Sequence, residues 1–263
     1  MTRTRMALWA VCTVLMIFLV APIVVIVITS FNGTPYMDFP PKSLSLRWYA
    51  NFFSSAHWYE TALLSLRVAL LTMVAATVLG TTAAIGIVRG TFRGKRVLEA
   101  FLISPMVVPI VVIALGFYFL FSSYRLLNTP WALFLGHTVV ATPVVIVMIR
   151  AALRTTNPDM ELAARSLGAD FWRSLVYVTL PSIKTTIVAA AAFAFLISFD
   201  DVVIAIFVAG PDSVTLPKRM WETIRFEIDP TLTAIASLLT LAAVIVLVGV
   251  ELLRGPAAAE RTE

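Results

Sequence analysis

Six apolar stretches of about 20 residues, each long enough to cross a hydrocarbon core of about 30 Å, run along this chain near residues 7–29, 61–88, 97–121, 132–149, 185–209 and 232–253. In lipid, every backbone N–H and C=O must find its partner within the protein, and a helix does this segment by segment. The expected fold class is therefore all-α, a polytopic membrane protein with six transmembrane helices. The composition agrees. Of 263 residues, 60% are hydrophobic and 13% charged, against roughly 25% charged in a soluble domain. The 14 prolines and 11 glycines scattered through apolar runs argue against a plain soluble bundle, since such residues are commoner in membrane helices. A single cysteine, Cys12, leaves no intrachain disulfide to form.

Where the charges fall matters more than their sum. Placing the first end in the cytoplasm puts Arg3, Arg5, Arg89, Arg93, Lys95, Arg96, Arg150, Arg154, Arg165, Arg173, Lys184, Arg254 and Arg261 on that side. The other side receives Lys42, Arg47, Arg125, Lys218, Arg219 and Arg225, and Arg67 lies within the second span, which accounts for all 20 Lys and Arg. The positive-inside bias then sets both termini in the cytoplasm. The net charge of +5 is thus read as topology and not as a nucleic-acid footprint. The apolar run after Met1 to Arg5 exceeds the 7–15 residues of a cleavable signal, so it is read as an uncleaved first span. Residues 1–255 are expected to form the membrane domain, and "GPAAAERTE" to end the chain as a disordered tail over 256–263.

The connections carry local signals. The outer loop over residues 30–60 contains "TPYMDFPPKSLSLRWYANFF". Its Pro35, Pro40 and Pro41 mark turns, and a short helix is expected over 46–53, with Trp48, Tyr49, Phe52 and Phe53 at headgroup level. In the third span, Pro105 and Pro109 remove backbone donors and predict a kink. The last outer loop, 210–231, has Met220, Trp221, Ile224 and Ile228 at helical spacing. Between the fourth and fifth spans lies "PDMELAARSLGADFWRSLVYVTLP", residues 158–181, which carries five charges and a mid-run glycine. Asn157 is a good N-cap and Pro158 suits the first helical position, with Asp159 and Glu161 in the first turn. Gly168 stands where a left-handed residue would close that helix, and Asp170 can cap a second one running to Thr179, limited by Pro181. The first helix presents Ala163, Ala164 and Leu167, a narrow face that lets another protein approach closely.

Residues Leu162, Ala163, Ala164, Gly168, Val178, Leu180 and Pro181 resemble the cytoplasmic loop of binding-protein-dependent ABC importer permeases. The likeness extends through "RGTFRGKRVLEAFLISPMVVP" and "SFDDVVIAIFVAGPDSVTLPKRMWETIRFEIDPTLTAIAS", which look like the second permease subunit of spermidine/putrescine-type importers. The resemblance implies a coupling loop, about 151–184, docking on an ATPase through Glu161, Ala163, Ala164, Leu167, Gly168, Leu180 and Pro181. The family's glutamate position is here Leu162, with Glu161 one residue earlier. A one-residue move turns a side chain about 100° around the helix axis, so Glu161 is expected to face a different part of the docking groove. The implied partners are a second permease subunit, a peripheral ATPase dimer, an extracytoplasmic solute-binding protein and the lipid bilayer of the cell inner membrane. The implied solute is a polyamine; an amine, a phosphonate or a metal chelate taken up by the same class of importer is the alternative.

Other candidates are weighed on their own residues. "GTFRGKR" is not a phosphate loop: Gly90 and Gly94 are separated by three residues instead of four, and Arg96 occupies the position of the Mg²⁺-holding hydroxyl. No cofactor is therefore expected on this chain; ATP and Mg²⁺ belong to the partner, and the chain is read as a transport subunit, not an enzyme. Asp200 and Asp201, towards the outer end of the fifth span, are either a cation-attracting point on the substrate path or a solvated helix edge paired with Arg67 or Arg225. Glu99, at an inner span end within reach of Arg96, reads as structural. His137 and His57 have no metal-ligand spacing around them and read as hydrogen-bonded histidines. An ion-coupled secondary transporter would need paired repeats around a midplane site, and a channel a pore-lining ring; neither is evident.

Overall fold

A computed structural model describes residues 3–36, 38–157, 159–226 and 229–254. Pro158, Ile228 and the tail over 256–263 lie outside them. Among the described residues the regular elements are helical, apart from one antiparallel bridge between Asn32 and Leu44. The chain divides into two compact units, Met1–Tyr59 with Glu222–Glu263, and Glu60–Trp221.

In the first unit, α1 (Arg3–Thr29) packs along the C-terminal helix Thr231–Arg254, and the short α2 (Arg47–Ser54) packs on that helix as well. Polar side chains fix the arrangement. Tyr49 Oη lies 2.6 Å from Ser30 Oγ and 3.2 Å from Ser237 Oγ, and Asn51 donates to Thr231 Oγ1 at 2.9 Å. The expected helix over 46–53 is present as Arg47–Ser54, and its Trp48 and Tyr49 make hydrogen bonds within the protein. Trp48 is buried because its indole N–H finds an acceptor in the Asn32 carbonyl at 2.7 Å, and Arg47 stacks on its ring at 4.3 Å.

The second unit is built around one long helix. α3 (Ala56–Arg89) leads to α4 (Lys95–Ile103), a 3₁₀ turn (Ser104–Met106) and α5 (Ile110–Ser123). α6 (Pro130–Thr155) follows, capped by Thr129 Oγ1, which accepts the Ala132 N–H. Then come α7 (Asp159–Ser166), α8 (Phe171–Ser174), a π turn (Leu175–Thr179), α9 (Leu180–Ser182), α10 (Lys184–Phe199) and α11 (Val203–Val208). α12 (Leu216–Phe226) begins in this unit, and its residues from Glu222 onward belong to the first unit, as does α13 (Thr231–Arg254). α6 is the mast, with Leu133, Val145, Ile146, Ile149 and Leu153 fully buried. One half of the core joins α3, α6 and α10 through Ala76, Ala84, Ala141, Ala190 and Ala194; the other joins α5, α6 and α11 through Ala114, Leu133, Ile204 and Val208. Small residues let these backbones approach closely. A Cβ at Gly80 would lie 2.6 Å from the Val145 side chain, so α3 meets α6 there without room for a methyl group.

Two expected spans are not continuous helices. Residues 97–121 are split into α4 and α5, whose combined path bends by 99°, because neither Pro105 nor Pro109 can donate and Pro109 adopts an extended ψ of 131°. Residues 185–209 are interrupted at Asp200–Val202 between α10 and α11. A further bend of 74° separates Phe171–Ser182 from α10. Among the described residues, three helices are long and apolar enough by themselves to cross a membrane, Thr4–Thr29, Ala56–Arg89 and Pro130–Thr155, and up to five result if each bent pair makes one span. Within α13, the stretch Thr231–Ile245 is apolar. Glu99, midway along α4, pairs with Arg150 on α6 instead of Arg96.

Candidate functional site

The loop over 156–184 lies wholly in the second unit, and its backbone follows the signals in its sequence. Asn157 Oδ1 accepts the Asp159 N–H at 2.9 Å and opens α7. Asp159 and Glu161 sit in the first turn and Arg165 in the last, each at the end of the helix dipole that favours its charge. At the other end the Gly168 N–H bonds the Arg165 carbonyl at 3.0 Å and the Ala169 N–H bonds that of Ala164 at 3.1 Å. This paired closure requires a left-handed residue, and Gly168 supplies it with φ +93°. Asp170 Oδ1 then accepts the Arg173 N–H at 2.7 Å and starts α8. Pro181 does not end the helical path, as expected from sequence, but lies inside α9. The π turn just before it shifts the bonding ladder, so that Leu180 N–H reaches the Leu175 carbonyl, and the break falls at Ile183.

Around α7 the exposure is sharply sided. Met160, Ala163 and Leu167 all face out, Leu167 with 90% of its surface exposed, whereas Glu161 and Ala164 are half-buried. Positions 160, 163 and 167 share one face of a 3.6-residue helix and 161 and 164 another. Leu162, Phe171, Trp172 and Tyr177 are exposed as well. Leu180 is half-buried against the α3–α6–α10 core, and Pro181 is exposed. Glu161, in contrast, turns back into the unit. Its Oε1 accepts from Arg89 Nη2 at 2.7 Å, from Arg89 Nε at 3.1 Å and from Thr179 Oγ1 at 2.9 Å.

The second candidate is the break between α10 and α11, where the two adjacent carboxyl groups have opposite surroundings. Asp200 is exposed, whereas Asp201 is buried and its Oδ2 accepts the Ala205 N–H at 3.2 Å, capping α11. The same oxygen lies 3.3 Å from Nε2 of His137, a contact too oblique for a hydrogen bond. The other ring nitrogen, Nδ1, is 2.8 Å from Ser198 Oγ. His137 on α6 is thus a hydrogen-bonded histidine, and it is the neighbour of Asp201 that the sequence did not point to.

The arrangement has counterparts. The family described as "Binding-protein-dependent transport system inner membrane component" matches residues 76–254. The chain is 34% identical over 232 residues to the putrescine transport system permease protein PotI of Escherichia coli (strain K12), covering 84% of this chain and 81% of that protein. It is 26% identical over 241 residues to the spermidine/putrescine transport system permease protein PotC of the same strain, covering 92% and 91%. Among solved structures, a chain of a bacterial ABC transporter involved in the import of alginate matches with a TM-score of 0.74 at 14% identity, covering 95% of this chain and 98% of that one.

Proposed function

The chain belongs to the family of binding-protein-dependent transport system inner membrane components, and from that membership we propose that it forms half of the translocation path of an ATP-driven importer whose solute is a polyamine. One observation carries the reading: a helix, Gly168, helix loop turns an apolar face, Met160, Ala163 and Leu167, out of the chain, while the chain itself has no phosphate loop. Such a face needs a protein partner, and a peripheral ATPase dimer supplies both that partner and the hydrolysis. A second permease subunit completes the path and an extracytoplasmic binding protein delivers the solute. The polyamine reading rests on the names of the relatives and on Asp200, whose exposed carboxyl group suits a cation. ATP binding and hydrolysis would close the ATPase pair and rock the permeases between outward and inward access.

The test is direct. The permease purified from membranes is expected to carry an ATPase with it, and vesicles holding the assembled complex and its binding protein are expected to take up labelled putrescine or spermidine only with ATP. Uptake driven by an ion gradient without ATP would overturn the importer, whereas ATP-driven uptake of an anion alone would overturn the polyamine.

The same reading sets six crossings, by α1, α3, the α4–α5 pair, α6, the α10–α11 pair and α13, with both termini in the cytoplasm. A reporter fused after Arg261 and another inserted near Arg165 are both expected to report cytoplasm; one that reads outside rejects this topology.

A further inference from the structure

Glu161 belongs to the loop assigned above to ATPase docking, yet its side chain faces the other way. It shares the half-buried face of α7 with Ala164, about 100° from the exposed row of Met160, Ala163 and Leu167. A single carboxylate oxygen, Oε1, gathers three donors there: two from the side of the Arg89 guanidinium and one from Thr179. Arg89 is the last residue of α3, a helix of 34 residues. Thr179, 1% exposed, closes the π turn that precedes the 74° bend into α10. Glu161 therefore ties three segments that are far apart in sequence: the end of α3, the first turn of the docking helix and the foot of the fifth span. Both charged side chains keep only about a fifth of their surface, 22% for Arg89 and 20% for Glu161. A pair so enclosed loses far more when one member is removed than an exposed pair does, because the remaining charge is left in a poorly solvated place.

We infer that Glu161 is not a docking contact but a positioning residue, and that the Arg89–Glu161–Thr179 brace carries the displacement of the docked loop into α3 and α10. The inference rests on the coupling role of the loop. A face that binds the ATPase moves with it, and the displacement reaches the membrane helices only where the loop is fastened to them. Among the described residues, the side-chain hydrogen bonds that fasten α7 to the end of α3 and to the π turn all meet at one oxygen atom. The π turn is a suitable place for the second fastening, since such turns are local excess windings that can be taken up or released.

The experiment uses the whole complex in lipid nanodiscs or vesicles, with unmodified protein measured beside Glu161→Arg, Arg89→Glu, the double exchange Arg89→Glu with Glu161→Arg, and the mild Glu161→Gln. Three quantities are read: ATPase bound per permease, ATP hydrolysed and polyamine moved. Each single exchange is expected to keep bound ATPase within about twofold of the unmodified complex, to lower uptake at least fivefold, and to raise ATP spent per solute at least threefold. The double exchange restores the pair with reversed sign and is expected to recover at least half of the lost coupling. Glu161→Gln, which keeps the Thr179 contact, should fall between, and it takes the place of a single exchange that does not assemble. Unchanged coupling in the single variants, or a double exchange no better than the worse single, overturns the brace. A loss of uptake that follows loss of bound ATPase alone overturns it too, by returning Glu161 to the docking face. If the unmodified complex does not couple hydrolysis to uptake, it is the importer reading that fails.

Discussion

Asp200→Asn is expected to cut polyamine uptake tenfold or more in a complex that assembles and melts as the unmodified one does, while Asp201→Ala is expected to lower the stability of the complex. The adjacent residues differ in what they touch. Asp200 is exposed at the end of α10, where a passing cation can reach it. A unit charge pair at 4 Å is worth about 4 kcal/mol at an effective dielectric of 20, and a tenfold change needs only about 1.4 kcal/mol, so even a partly screened contact meets the prediction. Asp201 is buried, caps α11 and lies beside His137. Its truncation removes a capping acceptor, which costs about 0.5–2 kcal/mol, and opens a void against a buried ring nitrogen. The melting temperature of the purified complex should fall by several degrees, and uptake should fall with the amount of complex recovered. Uptake is measured with labelled polyamine in vesicles and normalised to assembled complex. Equal losses of uptake at equal stability would place both carboxyl groups on the path and refute the division of roles; wild-type uptake by Asp200→Asn would remove Asp200 from it.

Much of this arrangement is legible in the sequence, and the parts that are not have a common cause. Asn157, Gly168 and Asp170 announce the ends of α7 and α8 because capping is decided within a few residues, and each is found making the bond its type suggests. Pro105 and Pro109 announce a break for the same local reason, although its size, 99°, depends on what the two halves pack against. The interruption at Asp200–Val202 is less visible, since nothing in "ISFDDVVIA" forbids a helix; it follows from Asp201 accepting the Ala205 N–H and lying against His137. That pairing joins residues far apart in the chain. Its one sequence signal is depth: with spans over 132–149 and 185–209, His137 lies about 8 Å and Asp201 about 12 Å from their outer ends at 1.5 Å per residue. Two polar residues at similar depth on successive spans are natural partners in a membrane. Arg89 and Glu161 offer the weaker signal of both falling on the side that the charge pattern assigns to the cytoplasm, where many other basic residues compete for one carboxylate.

Gly168→Val is expected to uncouple the complex or to weaken ATPase binding while leaving the membrane helices folded. The glycine adopts φ +93°, a conformation that a β-branched residue holds only with strain of about 1–3 kcal/mol. A Cβ added there would meet nothing within 4 Å, so the effect cannot come from a clash and must come from the backbone. To relieve the strain the residue would return to negative φ, which breaks the bonds from Gly168 to Arg165 and from Ala169 to Ala164. α7 and α8 would then no longer meet at the present angle, and the exposed Leu167 and Phe171, on either side of the turn, would change their relative placement. A bias of 1–3 kcal/mol corresponds to about a 5- to 150-fold change in the population of the docking-competent loop. Asn, which tolerates the left-handed region through its short polar side chain, should lie between glycine and valine, with alanine nearer to valine. A graded loss of ATP-driven uptake in the order Gly, Asn, Ala, Val, at equal expression, would tie the loss to backbone conformation. Normal transport by a well-expressed Gly168→Val complex would mean that the turn is not needed for docking, and that the exposed face of α7 reaches its partner by another geometry.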